Sequence, residues 1–157
     1  MATKTNAVRL VQQAGIPCRE AFYEFDEQDL SGVHAAQAIG MPEEQVFKTL
    51  VARGEKTGIN VFCIPVCCEL DLKKAAKAAG DKNMELVAVK ELLGLTGYIR
   101  GGCSPVGMKK HYPTFIDETC TLWDEIAVSA GARGHQMIVP PQLLANLVGA
   151  ELTDIIV

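Results

Sequence analysis

Two apolar, β-branched runs, Val46 to Arg53 and Ile59 to Val66, are separated by Gly54-Glu55-Lys56-Thr57-Gly58, and this pairing constrains the fold more than any other feature. Glycines at both ends of a short polar segment suit a hairpin loop, so the runs are expected to pair as antiparallel strands. A lone hairpin is marginal in water and needs further strands or helices on its apolar face. Period-two alternation puts Lys48 on the same face as Val46, Leu50 and Ala52. An ammonium is costly to desolvate, so Lys48 must either snorkel past the sheet edge or face a cleft into which an anion can come.

The rest of the chain supplies the partners. Asn6 can cap a helix with Ala7, Val8, Leu10, Val11 and Ala14 on one side and Gly15 as its end. From Pro17 to Phe25 the alternation reads as a half-buried strand with Tyr23 pointing inward. Ser31 caps a helix through Ile39 closed by Gly40, and Pro42 suits the first turn of a brief third helix. Asp71 caps a helix over Leu72 to Ala79, ended by Gly80. Short strands are expected at Met84–Val87, Gly97–Arg100, Thr114–Ile116, Ile126–Ser129 and Gln136–Val139. Pro140-Pro141 opens a last helix with Leu143, Leu144, Leu147 and Val148 on its buried side. With no repeat, low-complexity tract or linker, the expectation is one α+β domain over 1–157 around a mixed sheet.

Composition narrows the function classes. The 157 residues are 48% apolar and 22% charged, ample for one hydrophobic core. A net charge of −4 argues against a general nucleic-acid coat, which must neutralise many phosphates, but leaves room for a local anion site. Basic residues gather at Lys73-Lys74-x-x-Lys77 and, with Arg100, at Lys109-Lys110-His111; each group reads as a solvated face or as the meeting point for one end of a polyanion. No apolar run suits a membrane span or the core of a signal peptide, so a cytoplasmic location and no membrane partner are expected. In that compartment the six cysteines read as reduced thiols.

Gly101-Gly102-Cys103-Ser104-Pro105-Val106-Gly107, followed by Met108-Lys109-Lys110, is a second chemical candidate. Its glycines let backbone N–H groups turn toward an anionic oxygen, although a simple tight turn also fits. Met108 stands where a phosphate-binding P-loop needs lysine, so a nucleotide triphosphatase is disfavoured. Ser104 cannot head a nucleophile elbow, because the following Pro105 has no N–H for an oxyanion hole. Cys103 with one of the histidines His34, His111 or His135 is a weak alternative nucleophile pair. Cys63-x-x-x-Cys67-Cys68 lacks zinc-site spacing and no Cys-x-x-Cys redox pair occurs, so no metal or cofactor is expected.

Three segments taken in order, Val46-Phe47-Lys48-Thr49-Leu50, Leu70-Asp71-Leu72-Lys73-Lys74-Ala75-Ala76-Lys77 and Thr96 through Lys110, resemble the YbaK family of aminoacyl-tRNA deacylases. The likeness runs from the first helix to the last. It implies an α+β fold with a curved, partly barrel-like mixed sheet surrounded by helices, akin to the editing domain inserted in some prolyl-tRNA synthetases. The implied reaction is hydrolysis of the ester joining an amino acid to tRNA, with mischarged Cys-tRNA(Pro) as the expected substrate. Cysteine nearly fills a proline pocket, and pockets discriminate weakly among molecules of similar bulk, so a second hydrolytic sieve is needed. By resemblance Lys48 is the essential lysine, and Gly101 and Gly102 belong to a Gly-x-x-x-Pro loop that contains Ser104 and ends at Pro105. Tyr23 lines the pocket, and Gln136 stands near the position where cysteine-specific relatives carry an aspartate. Gln136 can donate and accept hydrogen bonds but has no charge for a substrate ammonium. In close relatives the substrate's own thiol is thought to attack its ester carbonyl, which suits a chain with no evident triad. The implied partners are the 3′-terminal acceptor end of aminoacyl-tRNA and prolyl-tRNA synthetase. Rival readings are a deacylase of the same family for alanyl- or seryl-tRNA and a non-catalytic module that grips tRNA or a synthetase.

Overall fold

Elements of the computed structural model, which describes residues 4–157, follow the capping and alternation signals closely; Met1, Ala2 and Thr3 of the polar N-terminal stretch lie outside the described residues. Thr5, not Asn6, caps helix α1 (Asn6–Gln13): its hydroxyl accepts the Val8 N–H at 3.2 Å, and Ala7, Val8 and Val11 enter the core. Strand β1 (Arg19–Phe22) stops short of Tyr23, whose N–H still donates to the Gly134 carbonyl at 2.9 Å. Ser31 caps α2 (Gly32–Ile39), closed by a left-handed Gly40, and Pro42 caps a 3-10 turn at Glu43–Gln45 instead of opening it. The hairpin consists of β2 (Phe47–Gly54) and β3 (Gly58–Pro65), paired from Phe47 opposite Pro65 to Gly54 opposite Gly58. The Asp71 carboxylate accepts the Lys73 and Lys74 N–H groups at the start of α3 (Leu72–Ala79).

Beyond β4 (Met84–Leu86) lies a helix the sequence pattern did not disclose, α4 (Val89–Thr96). The strand expected at Gly97–Arg100 is the turn leaving it, where Gly97 takes φ 86 as the helix end. Then come β5 (Thr114–Asp117), β6 (Ile126–Ala132), β7 (His135–Val139), α5 (Pro141–Val148) and a short β8 (Glu151–Thr153). On α5 the buried stripe is Pro141, Leu144, Ala145 and Val148; Leu143 and Leu147 are 40% and 37% exposed, contrary to the expected apolar face.

The strands form an antiparallel sheet in the order β1-β7-β6 and a mixed sheet in the order β4-β2-β3-β5-β8, parallel at β3/β5 and β5/β8. A parallel bridge between Val46 and Ala127 joins them, so the whole curves without closing. Phe47, Cys63, Ile116, Val128, Met137 and Leu144 share the main core, while Phe62, Ile64, Ala75, Ala76 and Phe115 pack between the hairpin and α3. Full burial of a side chain such as Phe62 or Leu144 contributes about 1.5–3 kcal/mol. Asp81 locks the hairpin turn by accepting the Lys56, Thr57 and Lys82 N–H groups and the Thr57 hydroxyl. Among the described residues no helix is long and apolar enough to cross a membrane.

One consequence of this topology positions the site. Beyond Val46, β2 pairs with β6 no further, and β4 covers the outer edge of β2 only at Ala52–Gly54, with the Val87 N–H reaching the Val51 carbonyl. The edge from Phe47 to Leu50 is left open, and a cleft forms there.

Candidate active site

The cleft has a volume of about 420 Å³, within the usual range for a small-molecule site. Lys48, Thr49 and Leu50 of β2 form one wall, Ser129 of β6 and Gln136 of β7 another, and Tyr23, Leu30 and Gly101 contribute from loops. Residues of both faces of β2 line the cleft at its open edge, and Lys48 stands among them half-buried. None of the five ion pairs among the described residues involves it. Its charge is open to solvent or to a ligand.

The glycine loop divides into parts with separate tasks. Gly101 lines the cleft with φ 87, a conformation that L side chains rarely adopt, and a Cβ there would lie 3.3 Å from Leu30. Its N–H donates to no backbone carbonyl among the described residues. The Gly102 N–H, by contrast, is committed to the Ile99 carbonyl at 3.0 Å. Gly102 does not line the cleft; an added Cβ would stand 3.1 Å from the Ala132 carbonyl carbon and the Arg133 nitrogen, so this glycine seats the loop against the turn between β6 and β7. The Arg133 Nε holds the same loop by donating to the Arg100 carbonyl at 2.9 Å.

Ser104 and Pro105 are not brought to the cleft. Ser104 is fully buried and its Oγ accepts the Val106 N–H at 3.2 Å, while Pro105 lines a separate, smaller pocket of about 210 Å³ beside Leu10 and His111. The serine stabilises the turn that the proline begins. Cys103 does reach the cleft wall, but burial pushes its thiol up to about 12, so it stays protonated at neutral pH.

Neighbouring residues of β7 face opposite ways, and the consequences differ. The His135 Nε2 lies 2.9 Å from the Glu20 Oε1 and its ring stacks on Phe22 at 4.2 Å, directed away from the cleft. Gln136 lines the cleft, is only 6% exposed, and its Oε1 is buried without a hydrogen-bond partner. A buried acceptor without a partner costs free energy. A break in the β6/β7 register between Ser129 and Ala132, with Gly131 at φ 99, bends β6 beside it; bulges of this kind often re-aim side chains near active sites.

Among the described residues no acidic residue and no histidine lines the cleft, and its charged members, Lys48 and Arg100, are both cationic. In a chain of net charge −4 this concentrates positive charge where a ligand would sit. Ser31 is occupied as the cap of α2, donating its hydroxyl to Asp29 and accepting the His34 N–H. The lining thus offers electrostatic stabilisation and hydrogen-bond donors, but no paired nucleophile and base. Among the described residues, no three His, Cys, Asp or Glu side chains gather as metal ligands would.

Thr49 and Ser129 line the cleft without a sequence argument that assigned them to it. Thr49 could have been found as the neighbour of Lys48 on an unpaired strand edge. Ser129 had no local signal, because its place depends on where β6 leaves β2.

The sequence pattern of the aminoacyl-tRNA editing domain matches residues 30–147 of the chain, which include every cleft residue named above except Tyr23. A protein of Enterococcus faecalis proposed to be a Cys-tRNA(Pro)/Cys-tRNA(Cys) deacylase, EbsC, is 45% identical over 97% of this chain and 93% of its own. A crystal structure described as a proposed trans-editing enzyme for prolyl-tRNA synthetase superposes with a TM-score of 0.80 at 28% identity, covering 99% of each chain. Another solved protein, 21% identical, shares the fold alone at a TM-score of 0.85 over 95% of this chain and 97% of its own. With its family pattern, a near full-length relative and its fold in agreement, this chain belongs to the aminoacyl-tRNA editing domain family.

Proposed function

We propose that this chain, acting over its whole length as one editing domain, hydrolyses the ester of mischarged Cys-tRNA(Pro) in trans. The observation that carries the reading is a cleft whose only charged lining residues, among the described residues, are Lys48 and Arg100, with Lys48 in no ion pair and Gln136 in the same lining. A cationic pocket without an acid suits the anionic 3′ end of an aminoacyl-tRNA. In this proposal Lys48 holds the terminal phosphate or the negative charge that develops on the ester carbonyl oxygen, and the Gly101 N–H supplies a preorganised donor. Tyr23 walls the aminoacyl group, and the Gln136 Oε1 accepts a hydrogen bond from its ammonium. Gly102, Ser104 and Pro105 act through the loop they hold.

The enzyme contributes no nucleophile to this scheme; the substrate supplies it. The cysteinyl thiol loses its proton to water as sulfur bonds to the ester carbonyl carbon, and collapse of the tetrahedral intermediate breaks the bond to the ribose oxygen. That oxygen takes up a proton, tRNA leaves, and water opens the resulting thiolactone. Cytoplasm, where aminoacyl-tRNA is made, is the proposed location, with prolyl-tRNA synthetase as the proposed partner.

A second reading rests on the uncharged Gln136: a relative of the same family that clears alanyl- or seryl-tRNA. Hydrolysis of cysteinyl, alanyl and seryl esters on the same tRNA, with and without prolyl-tRNA synthetase, separates the two. Fast loss of the cysteinyl ester with the alanyl ester stable supports the thiol-assisted route; equal loss of both refutes it. Saturable binding with no hydrolysis faster than buffer would mark a non-catalytic module.

A further inference from the structure

Cys67 and Cys68 follow β3 in a turn in which the Cys68 N–H donates to the Pro65 carbonyl at 3.0 Å. Successive side chains in a strand point to opposite faces, but this turn brings the two sulfurs to 3.9 Å. Cys67 is exposed and Cys68 half-buried, whereas Cys63, Cys103 and Cys120 are buried and Cys18 stands alone. Neither sulfur takes part in the chemistry proposed for the cleft.

The separation selects what the pair can hold. A disulfide requires sulfurs at about 2.03–2.05 Å, so a direct bond would need the turn to be rebuilt. A single intervening atom bonded to both sulfurs spans the present gap far better. Sulfur ligands favour soft centres, yet zinc takes four ligands, and among the described residues no third Cys, His, Asp or Glu joins the pair. A trivalent arsenic centre keeps its own organic substituent and needs only two sulfurs.

We propose that Cys67 and Cys68 form a two-sulfur capture site for trivalent arsenic compounds at the rim of the cleft. In the reaction an arsenoxide, R–As=O, condenses with two S–H groups to give R–As(S–Cys)₂ and one water. Two As–S bonds form, the oxygen leaves with both thiol protons, and arsenic stays trivalent, so no oxidant or reductant is needed. Burial and the adjacent Cys67 push the Cys68 thiol up to about 11 while the Lys48 charge pulls it down. That sulfur therefore enters the reaction as S–H; Val66, the residue before the pair, lines the cleft and sets the pair at its rim. The site rests on thiol geometry and not on the deacylase reading.

Intact-mass spectrometry of the folded, full-length protein treated with phenylarsine oxide tests it without any need for turnover. One adduct per chain, surviving excess 2-mercaptoethanol but removed by dithiothreitol, is expected, with peptide mapping placing it on Cys67 and Cys68. Cys67→Ser and Cys68→Ser should each abolish the monothiol-resistant adduct, and Cys18→Ser should retain it. Absence of that adduct from the wild type, its mapping to other cysteines, or its persistence in either single variant overturns the proposal. Mapping on the wild type decides the matter even if a variant fails to fold.

Discussion

Replacing Gln136 with methionine should make the protein more stable and less active at once. The Gln136 Oε1 is buried and has no partner, in a side chain 6% exposed. An unsatisfied buried acceptor costs about 1–3 kcal/mol, and methionine fills the same elongated space with no polar atom. Relief at the lower end of that range, about 1 kcal/mol, corresponds to a Tm increase of about 2–4 °C for a chain of this length. If the same oxygen accepts from the substrate ammonium, losing a hydrogen bond to a charged group costs about 1.5–3 kcal/mol, or roughly ten-fold or more in kcat/KM for deacylation. Thermal unfolding by calorimetry and single-turnover loss of the cysteinyl ester measure the two effects on one preparation. A Tm that falls, together with kcat/KM within two-fold of wild type, would refute the reasoning.

Three further outcomes follow from separate parts of the molecule. Gly101→Ala forces a side chain into φ 87, at about 1–2 kcal/mol, and Gly102→Ala presses a Cβ on the Ala132 and Arg133 backbone, at about 1–3 kcal/mol; both should lower Tm in thermal melts, with activity falling as the loop shifts. Cys103→Ala should keep single-turnover deacylation within a few-fold of wild type, since a thiol held up at about 12 is no nucleophile; a loss of a hundred-fold would restore the thiol to the chemistry. Desolvation raises the Asp81 carboxyl, but hydrogen bonds from the Thr57 N–H and hydroxyl and from the Lys82 and Lys56 N–H groups outweigh it and hold its pKa well below the usual carboxylate range. A depressed folded-state value means that this stability is present above the unfolded pKa and is lost as pH falls below it. Asp81→Asn should therefore unfold more easily at neutral pH in urea, with the difference from wild type shrinking as the solution is acidified below about pH 4.

Local signals in the sequence were enough wherever a cap or a period-two run decided the structure. Ser31 and Asp71 with their closing glycines marked the two helices that form, and the hairpin differs from its expected limits only at the ends. Helix α4 escaped because its N-cap is Ala88, which has no capping side chain, and because Gly94 interrupts its apolar run. On α5, Leu143/Leu147 and Leu144/Val148 are adjacent stripes with the same spacing; burial of Pro141 and the small Ala145 beside Leu144 chose the second. The cleft was legible in part. Strand alternation alone singled out Lys48, but whether it reached solvent or a ligand depended on β2 and β6 parting after Val46, a long-range event with no local mark. Loop composition flagged residues 101–107 together and could not tell that Gly101 faces the cleft while Ser104 and Pro105 turn away from it.

Lys48 is the residue on which the functional account turns, and single-turnover deacylation of Cys-tRNA(Pro) by Lys48→Ala addresses it most directly. With folding confirmed by an unchanged melting curve, the account predicts a rate reduced by about 10²–10³, the usual cost of removing one preorganised stabilising group. Hydrolysis by that variant at a rate near the wild type would contradict it.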